Sequence, residues 1–184
     1  MYTLYYSPGA ASLVVHWLLI EIGAKHELRK LDLAAGEHKR ADYLALNPNG
    51  VVPTLLVHGE PLAEAAALVL HLADVHPSFG LAPEPGSIER ARYYQWVLHL
   101  ANTLQPAFRT WFYPNEAAGE AHAEAAKTRA RERIEERYAE TIPSAQVQLT
   151  VTPGRANTAN LVAGVAAATL LPPPSRRQAA TAKL

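Results

Sequence analysis

Four short apolar or aromatic runs in the first half of the chain predict β-strands. They lie at residues 2–6, 28–33, 52–57 and around 61–62. The run at 52–57 contains apolar and β-branched residues, as expected of a buried strand. The run at 28–33 alternates more weakly, so the second strand is predicted from a weaker pattern than the other three.

Helical patterns of apolar residues lie between and after these strands. Residues 13–21 predict a helix that ends near Gly23, and residues 64–75 predict a strong helix. A shorter helical pattern covers residues 37–46. The resulting order is β-α-β, an irregular stretch, and then β-β-α. This order predicts a small mixed sheet with helices packed on it.

The second half of the chain predicts mainly helices. Residues 77–86 are rich in proline and glycine and predict a linker, after which Ser87 can cap a helix. Pro106 should end or kink that helix, and a second helix is expected from about residue 117 to 138. The apolar stripe expected on the first helix is Ala91, Tyr94, Leu98, Ala101 and Leu104. The stripe expected on the second is Ala126, Ala130, Ile134 and Tyr138.

The composition of the chain changes abruptly at residue 141. Residues 141–184 contain no acidic residue, no aromatic residue and no histidine, but five prolines and four basic residues. Residues 1–140 hold all 17 acidic side chains and 13 basic ones, so their net charge is −4 and that of the tail is +4. A change of reading frame or a divergent truncation would produce such a shift. We expect the tail to be atypical and poorly ordered.

Composition excludes several classes of function. The chain of 184 residues has no cysteine, which excludes disulfides, thiolate metal ligands and a cysteine nucleophile. The 17 basic and 17 acidic side chains give a net charge of zero, which argues against nucleic acid as a partner. No signal peptide and no membrane-spanning run of about 18 apolar residues is evident. We therefore expect a cytoplasmic protein, and the spacing of the histidines predicts no metal site.

The segment Leu-Asn-Pro-Asn-Gly-Val-Val-Pro at residues 46–53 is the most informative feature for function. Pro53 has a fixed φ and no N–H, and the peptide bond before a proline can be cis at low cost. A cis bond would turn the N–H and C=O of Val52 outward, where an extended peptide could pair with them. Glu64 lies at a predicted helix start, where backbone N–H groups are unsatisfied. Together these residues predict a docking edge for a small peptide with charged ends.

Four stretches of the chain resemble the glutathione S-transferase family. They are Tyr-Tyr-Ser-Pro-Gly-Ala-Ala-Ser (5–12), Gly-Glu-His-Lys (36–39), Leu-Ala-Leu-Asn-Pro-Asn-Gly-Val-Val-Pro (44–53) and Pro-Leu-Ala-Glu-Ala-Ala-Ala-Leu (61–68). The resemblance implies an α/β thioredoxin-like N-terminal domain at residues 1–76 and a linker at 77–86. It also implies an all-α C-terminal domain at 87–184, which would be incomplete or divergent after about residue 140.

The resemblance further implies that the N-terminal domain binds glutathione as a co-substrate. Val52, ahead of Pro53, would pair its backbone with the cysteinyl part. Glu64 would meet the γ-glutamyl ammonium group by charge-assisted hydrogen bonds. The next residue is often serine or threonine in the family and is Ala65 here, whose N–H remains usable for an anion. From the residues alone, Glu64 could instead be an acid that only favours the helix start.

Three more residues belong to the implied glutathione site. His38 and Lys39 fall in the segment that reaches the glycyl carboxylate in several subgroups of the family. Val51 stands where relatives often carry glutamine, and it contributes nothing polar. The plainer alternative for His38 and Lys39 is that both are solvated residues of a polar turn.

An enzyme that uses glutathione must lower the pKa of a thiol, which is about 8.5 in a free cysteine. In bacterial relatives with the Ser-Pro-Gly start, a cysteine commonly occupies the position that is Ala11 here. The resemblance therefore implies a hydroxyl type rather than a cysteine type. Ser12, at the start of the first helix, is the leading hydrogen-bond donor, and Ser7 and Tyr6 are alternates. Ser12 could instead act only as a helix cap.

The pocket for the second substrate would lie between the domains, where apolar walls suit a small hydrophobic electrophile. Six residues are candidates for its walls, and the alternative for each is a place in the core. They are Tyr94, His99, Phe108, Trp111, Phe112 and Tyr113.

We therefore expect a glutathione transferase that joins the glutathione thiolate to a hydrophobic electrophile. The resemblance implies a homodimer, while the composition and spacing described above argue against metal, nucleic acid and membrane partners. Two alternatives remain open. One is a glutathione-dependent isomerase or peroxidase. The other is a catalytically silent binding or regulatory protein with the same fold, which Ala11, Ala65 and the atypical tail favour.

Overall fold

The computed structural model describes residues 1–141, with side chains described as far as residue 137. Expectations for residues 142–184 and for the side chain of Tyr138 lie outside the described residues. The division of the chain at residues 76 and 86 stays a prediction.

Four strands form one sheet in the order β2-β1-β3-β4. Their bounds are Tyr2–Tyr6 for β1, His26–Lys30 for β2, Thr54–Val57 for β3 and Glu60–Ala63 for β4. Strand β1 pairs parallel with β2 and antiparallel with β3, and β3 pairs antiparallel with β4. The predicted mixed sheet is confirmed. Strand β3 starts only after Pro53, which has no N–H to donate to the ladder.

Seven α-helices lie within residues 1–141. They are α1 Ser12–Glu21, α2 Ala41–Leu44, α3 Ala65–Val75, α4 Ile88–His99, α5 Gln105–Phe112, α6 Pro114–Ala118 and α7 Ala123–Thr141. Short 3₁₀ turns occur at Glu37–Lys39, Pro77–Phe79 and Glu120–His122. The last of these divides the helix expected at residues 117–138 into α6 and α7. No helix in this part of the chain is long and apolar enough to span a membrane.

Helices α1 and α3 pack on one face of the sheet. Leu4 and Leu55 lie opposite each other on β1 and β3, and both are fully buried. The core cluster around them includes Val15 and Leu19 of α1 and Leu68 and Leu72 of α3. Side chains alternate between the faces of a strand, so Tyr5 lies on the other face. On that face, the centroid of the Tyr5 ring lies 5.5 Å from the centroid of the Tyr43 ring in α2.

The apolar stripe predicted for the first helix of the C-terminal region is wrong by one position over most of its length. Tyr94 and Leu98 are 39% and 48% exposed. The residues that are buried instead are Arg90, Tyr93, Val97 and Leu100, and only Leu104 belongs to both sets. Ser87 caps α4 as predicted, because its Oγ accepts a hydrogen bond from the Arg90 N–H at 3.0 Å.

The error in the stripe comes from Arg90, whose charge indicates a solvent-facing position. Its guanidinium is instead buried, paired with Asp74 of α3 and hydrogen-bonded to the Pro83 carbonyl at 2.9 Å. The hydrogen bond with Asp74 raises the pKa of Arg90. A buried charge is tolerated when it is paired in this way. Arg90 therefore ties α4 to α3 and to the segment that joins them.

Pro106 does not end the helical stretch that begins with α4. A π-type turn at Leu100–Leu104 follows α4, and α5 continues directly from it. Such turns accommodate a local interruption of the helical hydrogen-bond pattern and occur frequently at functional sites. Leu100 and Ala101 of this turn, and Gln105 directly after it, line the cavity described next.

Candidate active site

The sheet region consists of strands β1 to β4 with helices α1 to α3, and the helical region consists of α4 to α7. A cavity of ≈ 190 Å³ lies between them. The N-terminal half contributes Ala11, Val14, Val51, Val52, Pro53, Glu64, Ala65, Ala66 and Val69. The helical region contributes Val97, Leu100, Ala101 and Gln105. The cavity therefore brings together five of the residues predicted to bind glutathione, on elements far apart in the sequence.

The loop before β3 presents an unpaired backbone to this cavity. The Val52–Pro53 peptide bond is cis, as the sequence suggests. Among residues 1–141, no backbone or side-chain group forms a hydrogen bond with the N–H or C=O of Val52. Behind the loop lies a buried hydrogen-bond network of Tyr43, Asn47 and Thr54, which sequence analysis missed.

Glu64 occupies the N-cap position of α3 in an unusual backbone conformation, and its side chain forms no capping hydrogen bond. Its φ of 69° and ψ of 104° are rare for a residue other than glycine, and such conformations concentrate at functional sites. Its side chain is exposed and forms no ion pair with the described residues. Its carbonyl accepts a hydrogen bond from Leu68, while the N–H groups of Ala65 and Ala66 have no partner within residues 1–141. The site therefore combines a free carboxylate with amides that can bind an anion.

The three candidate hydroxyl groups all lie away from the cavity lining. Ser12 is only 1% exposed, and its hydroxyl donates to the Ser7 carbonyl at 3.2 Å and accepts from the Ser7 N–H at 3.3 Å. Ser7 is also buried, and the half-buried Tyr6 packs against the core beside His16. The side chain that faces the cavity from this turn is that of Ala11.

His38 and Lys39 lie on the 3₁₀ turn that packs against the loop before β3. The Lys39 ammonium donates to the Asn49 carbonyl at 3.3 Å, and the Nδ1 atom of His38 is buried without a hydrogen-bond partner in the described part of the chain. Neither residue lines the cavity, but both lie next to Gly50, close to the edge formed by Val51 and Val52.

The candidate aromatic wall for the second substrate is not found at this cavity. None of the six candidates lines the cavity, whose wall from the helical region is aliphatic except for Gln105. Phe108 is buried and packs with Trp111 and Phe112 in a separate core cluster, while Tyr94 stacks on Arg90. These three rings stabilise the helical region because large rings bury much apolar surface, whereas Tyr113 is 51% exposed. The role of Gln105 depends on the π-type turn that precedes it, and the helical pattern does not predict that turn.

Within residues 1–141, no three histidine, aspartate or glutamate side chains lie close enough together to hold a metal ion. The described residues offer the cavity backbone amides, the Glu64 carboxylate, the Gln105 side-chain amide and apolar walls.

A thioredoxin-like sheet followed by helices, with a cavity between them, is the architecture of the glutathione S-transferases to which this chain is similar. The family model described as "Glutathione S-transferase, N-terminal domain" matches residues 1–74. The chain is similar to the glutathione S-transferase GstA of Escherichia coli O157:H7, with 37% identity over 114 residues, 61% of this chain and 57% of that protein. It is also 37% identical to glutathione S-transferase GST-4.5 of Xanthomonas campestris over 59% of this chain and 52% of that one.

The structural comparison covers more of the chain. A glutathione S-transferase from a sphingomonad, solved in complex with glutathione, is similar with a TM-score of 0.68 and 32% identity over 98% of this chain and 89% of that chain. The chain belongs to the glutathione S-transferase family. It spans little more than half the length of the two curated relatives named above.

The close contact at Gly50 provides a test of how this site is packed. A Cβ at Gly50 would lie 2.8 Å from the His38 carbonyl oxygen and 2.9 Å from the Lys39 Nζ, at a φ of +56°. Gly23 has a similar φ of +60° with nothing within 4 Å, so Gly23→Ala is a matched control. We expect Gly50→Ala to lower the free energy of unfolding by about 2–4 kcal/mol, against about 1–2 kcal/mol for Gly23→Ala. Urea denaturation measures both, and equal losses would contradict the packing.

Proposed function

We propose that this chain is a glutathione transferase, which conjugates the thiolate of glutathione to a small hydrophobic electrophile. The observation that carries the proposal is that one cavity has a polar wall on one side and an apolar wall on the other. One side has an unpaired peptide edge and a free carboxylate, which suit a charged tripeptide. The other side has aliphatic side chains of α4 and the π-type turn, which suit an apolar molecule. A thiol and an electrophile bound there would be held close together, which favours reaction between them.

Glutathione would bind along the N-terminal wall of the cavity. The backbone of Val52 would pair with its cysteinyl part, with Val51 and Pro53 shaping the edge. The carboxylate of Glu64 would accept hydrogen bonds from the γ-glutamyl ammonium group. The neighbouring carboxylate would meet the free amides of Ala65 and Ala66, without the hydroxyl that many relatives add at that position.

The far end of the tripeptide would extend toward the turn that carries His38 and Lys39. The lysine ammonium would supply positive charge for the glycyl carboxylate, since its present partner is an exposed carbonyl. The buried Nδ1 of His38 lacks a partner in the described residues, so a small rearrangement of this turn could bring that atom into use.

Backbone amides, rather than a hydroxyl, are the groups we propose to stabilise the thiolate. The N–H groups of Ala11 and Ser12 at the start of α1 have no partner within residues 1–141. Amides at a helix N-terminus favour a negative charge and lower the pKa of a nearby thiol. The Ser12 hydroxyl already donates its hydrogen to Ser7, so its role would be to hold the turn in shape.

In the proposed reaction, the thiol proton passes to solvent, and the thiolate sulfur forms a bond with the electrophilic carbon. In a substitution, the leaving group departs with the electron pair of the bond that breaks. The walls formed by Val97, Leu100 and Ala101 would hold the apolar body of the substrate, and the amide of Gln105 could hydrogen-bond a polar substituent on it. A homodimer is part of the proposal, and the exposed Tyr94 and Leu98 on α4 are compatible with a partner there.

A catalytically silent glutathione-binding protein is the second candidate. The observation that favours it is the absence of any cavity-facing hydroxyl or thiol on the described turn before α1. Retention on immobilised glutathione together with conjugation of an aryl halide would identify a transferase. Retention without conjugation would identify the silent protein.

Trapping by a disulfide tests where the glutathione sulfur lies. The chain has no cysteine, so Ala11→Cys introduces a single thiol at the cavity wall. A thiol there should attack oxidised glutathione, form a mixed disulfide and release reduced glutathione. We expect this reaction to be at least about tenfold faster than for Ala125→Cys, an exposed position on α7, because binding aligns the two sulfurs.

Mass spectrometry of the intact protein follows the addition of the glutathionyl group. A helix N-terminus raises the reactivity of any thiol, so both variants are also treated with hydroxyethyl disulfide. The glutathione preference of a variant is the ratio of its rate with oxidised glutathione to its rate with hydroxyethyl disulfide. If the glutathione preference of Ala11→Cys equals that of Ala125→Cys, the proposed pose is wrong.

The pH dependence of Ser12→Ala separates the two roles of its hydroxyl. If the hydroxyl braces the turn, the variant should lose a similar fraction of kcat/KM at about pH 6.5 and at about pH 9, and about 0.5–1.5 kcal/mol of stability. If the hydroxyl donates to the thiolate, the loss should be much larger at the lower pH, where the unassisted thiol is protonated. A conjugation assay with a generic aryl halide at both pH values decides between them.

A further inference from the structure

The carbonyl group of Val51 is turned into the protein and held there by two donors. The Tyr43 hydroxyl donates to it at 2.6 Å, and the side-chain amide of Asn47 donates to it at 2.9 Å. A carbonyl oxygen has two lone pairs, so both acceptor positions are used. Tyr43 and Asn47 are 3% and 2% exposed, so water does not compete for these bonds.

The donors themselves are fixed by further bonds. Thr54, which is completely buried at the start of β3, has its Oγ1 at 2.8 Å from the Tyr43 hydroxyl and 3.1 Å from the Asn47 amide nitrogen. The Asn47 Oδ1 accepts from the Asn49 N–H at 3.1 Å. If the Thr54 hydroxyl donates to Tyr43, every O–H and N–H hydrogen of the side chains of Tyr43, Asn47 and Thr54 has an acceptor. A fully satisfied buried network of this kind is rigid.

The network sets the direction of the next amide. The Val51–Val52 peptide bond is trans, because the cis bond of the described chain is that between Val52 and Pro53. In a planar trans peptide, the C=O and N–H groups point in opposite directions. The Val51 carbonyl points toward Tyr43 and Asn47, so the Val52 N–H points away from them. Val51 and Val52 line the cavity, whereas Tyr43 and Asn47 do not.

We propose that Tyr43 and Asn47 are positioning residues for glutathione, which act through the Val51–Val52 peptide without touching the ligand. The inference rests on the proposed binding of glutathione to the Val52 backbone. Without the two donors, the peptide plane could rotate, and the Val52 N–H would be aimed at the ligand for only part of the time. Burial raises the pKa of Tyr43, so its hydroxyl remains a donor throughout the neutral range.

Tyr43→Phe tests the inference, because it removes one donor and keeps the ring. Tyr5→Phe is the matched control, since Tyr5 packs against Tyr43 and its hydroxyl has no hydrogen-bond partner among residues 1–141. We expect the Kd for glutathione, measured by calorimetry on the full chain, to rise about five- to tenfold in Tyr43→Phe, as for the loss of one hydrogen bond. Asn47→Ala removes the second donor and should act in the same direction.

Two readouts separate positioning from a loss of structure. The calorimetric stoichiometry reports the folded fraction, whereas the Kd reports the site in the molecules that remain folded. In a conjugation assay, weaker binding of glutathione in both ground and transition states should raise its KM and leave kcat within about twofold. A fall in stoichiometry or kcat with unchanged Kd and KM would show a purely structural role and overturn the inference.

The outcomes also distinguish this inference from the proposed function. If the unaltered chain does not bind glutathione, the proposed function fails, and the inference fails with it. If the unaltered chain binds and Tyr43→Phe has the same Kd as Tyr5→Phe, only the inference fails.

Discussion

The orientation of the peptide between Val51 and Val52 is the constraint on which the candidate site depends. A backbone edge can recognise a peptide only if its polar groups are left unpaired and are aimed at the ligand. Here the Val51 carbonyl is held inward by buried donors from α2 and the segment after it, and the amide of Val52 is left without a partner in the described chain. The sheet supplies the fixed end of this arrangement, because Thr54 opens β3 beside β1.

The second wall of the cavity is formed by residues of α4, the π-type turn and the first residue of α5. The helical region reaches the N-terminal half through the ion pair of the buried Arg90 with the half-exposed Asp74, and through the π-type turn. These contacts place aliphatic side chains, not rings, opposite Val52 and Glu64. Phe108, Trp111 and Phe112 pack instead in a core cluster of the helical region, where large rings bury much apolar surface. The proposed preference for an apolar second substrate would therefore rest on Val97, Leu100 and Ala101, with the amide of Gln105 beside them.

Local patterns were sufficient to predict much of this molecule. The strands, α1, α3 and the cap at Ser87 follow from periodicity and capping chemistry, which depend on neighbours in the sequence. The edge at Val52 and the acid at Glu64 followed from the same local chemistry, helped by a resemblance to a known family. A proline, a turn and a helix start thus indicate Val52, Pro53 and Glu64, and the family resemblance adds Val51 and Ala65, all of which line the cavity.

The errors arose where a residue depends on a distant partner. Arg90 is buried because Asp74, 16 residues away, pairs with it, and no helical pattern contains that information. The catalytic role of Ser12 stays a prediction, but the hydrogen bond of its hydroxyl with the Ser7 backbone is not part of any local pattern. Tyr43 reads as an ordinary helical residue, and its contact with Val51 exists only in the folded chain. Tertiary hydrogen bonds of this kind cannot be read from periodicity.

The most direct test of the account is the response of the Val52 amide to glutathione in a ¹⁵N-resolved NMR titration of the full chain. The account predicts that this amide exchanges readily with solvent in the free protein. It also predicts a large proton shift and slowed exchange when glutathione binds. Two results would contradict it: a Val52 amide protected from solvent before glutathione is added, or one that stays unperturbed when binding is saturated.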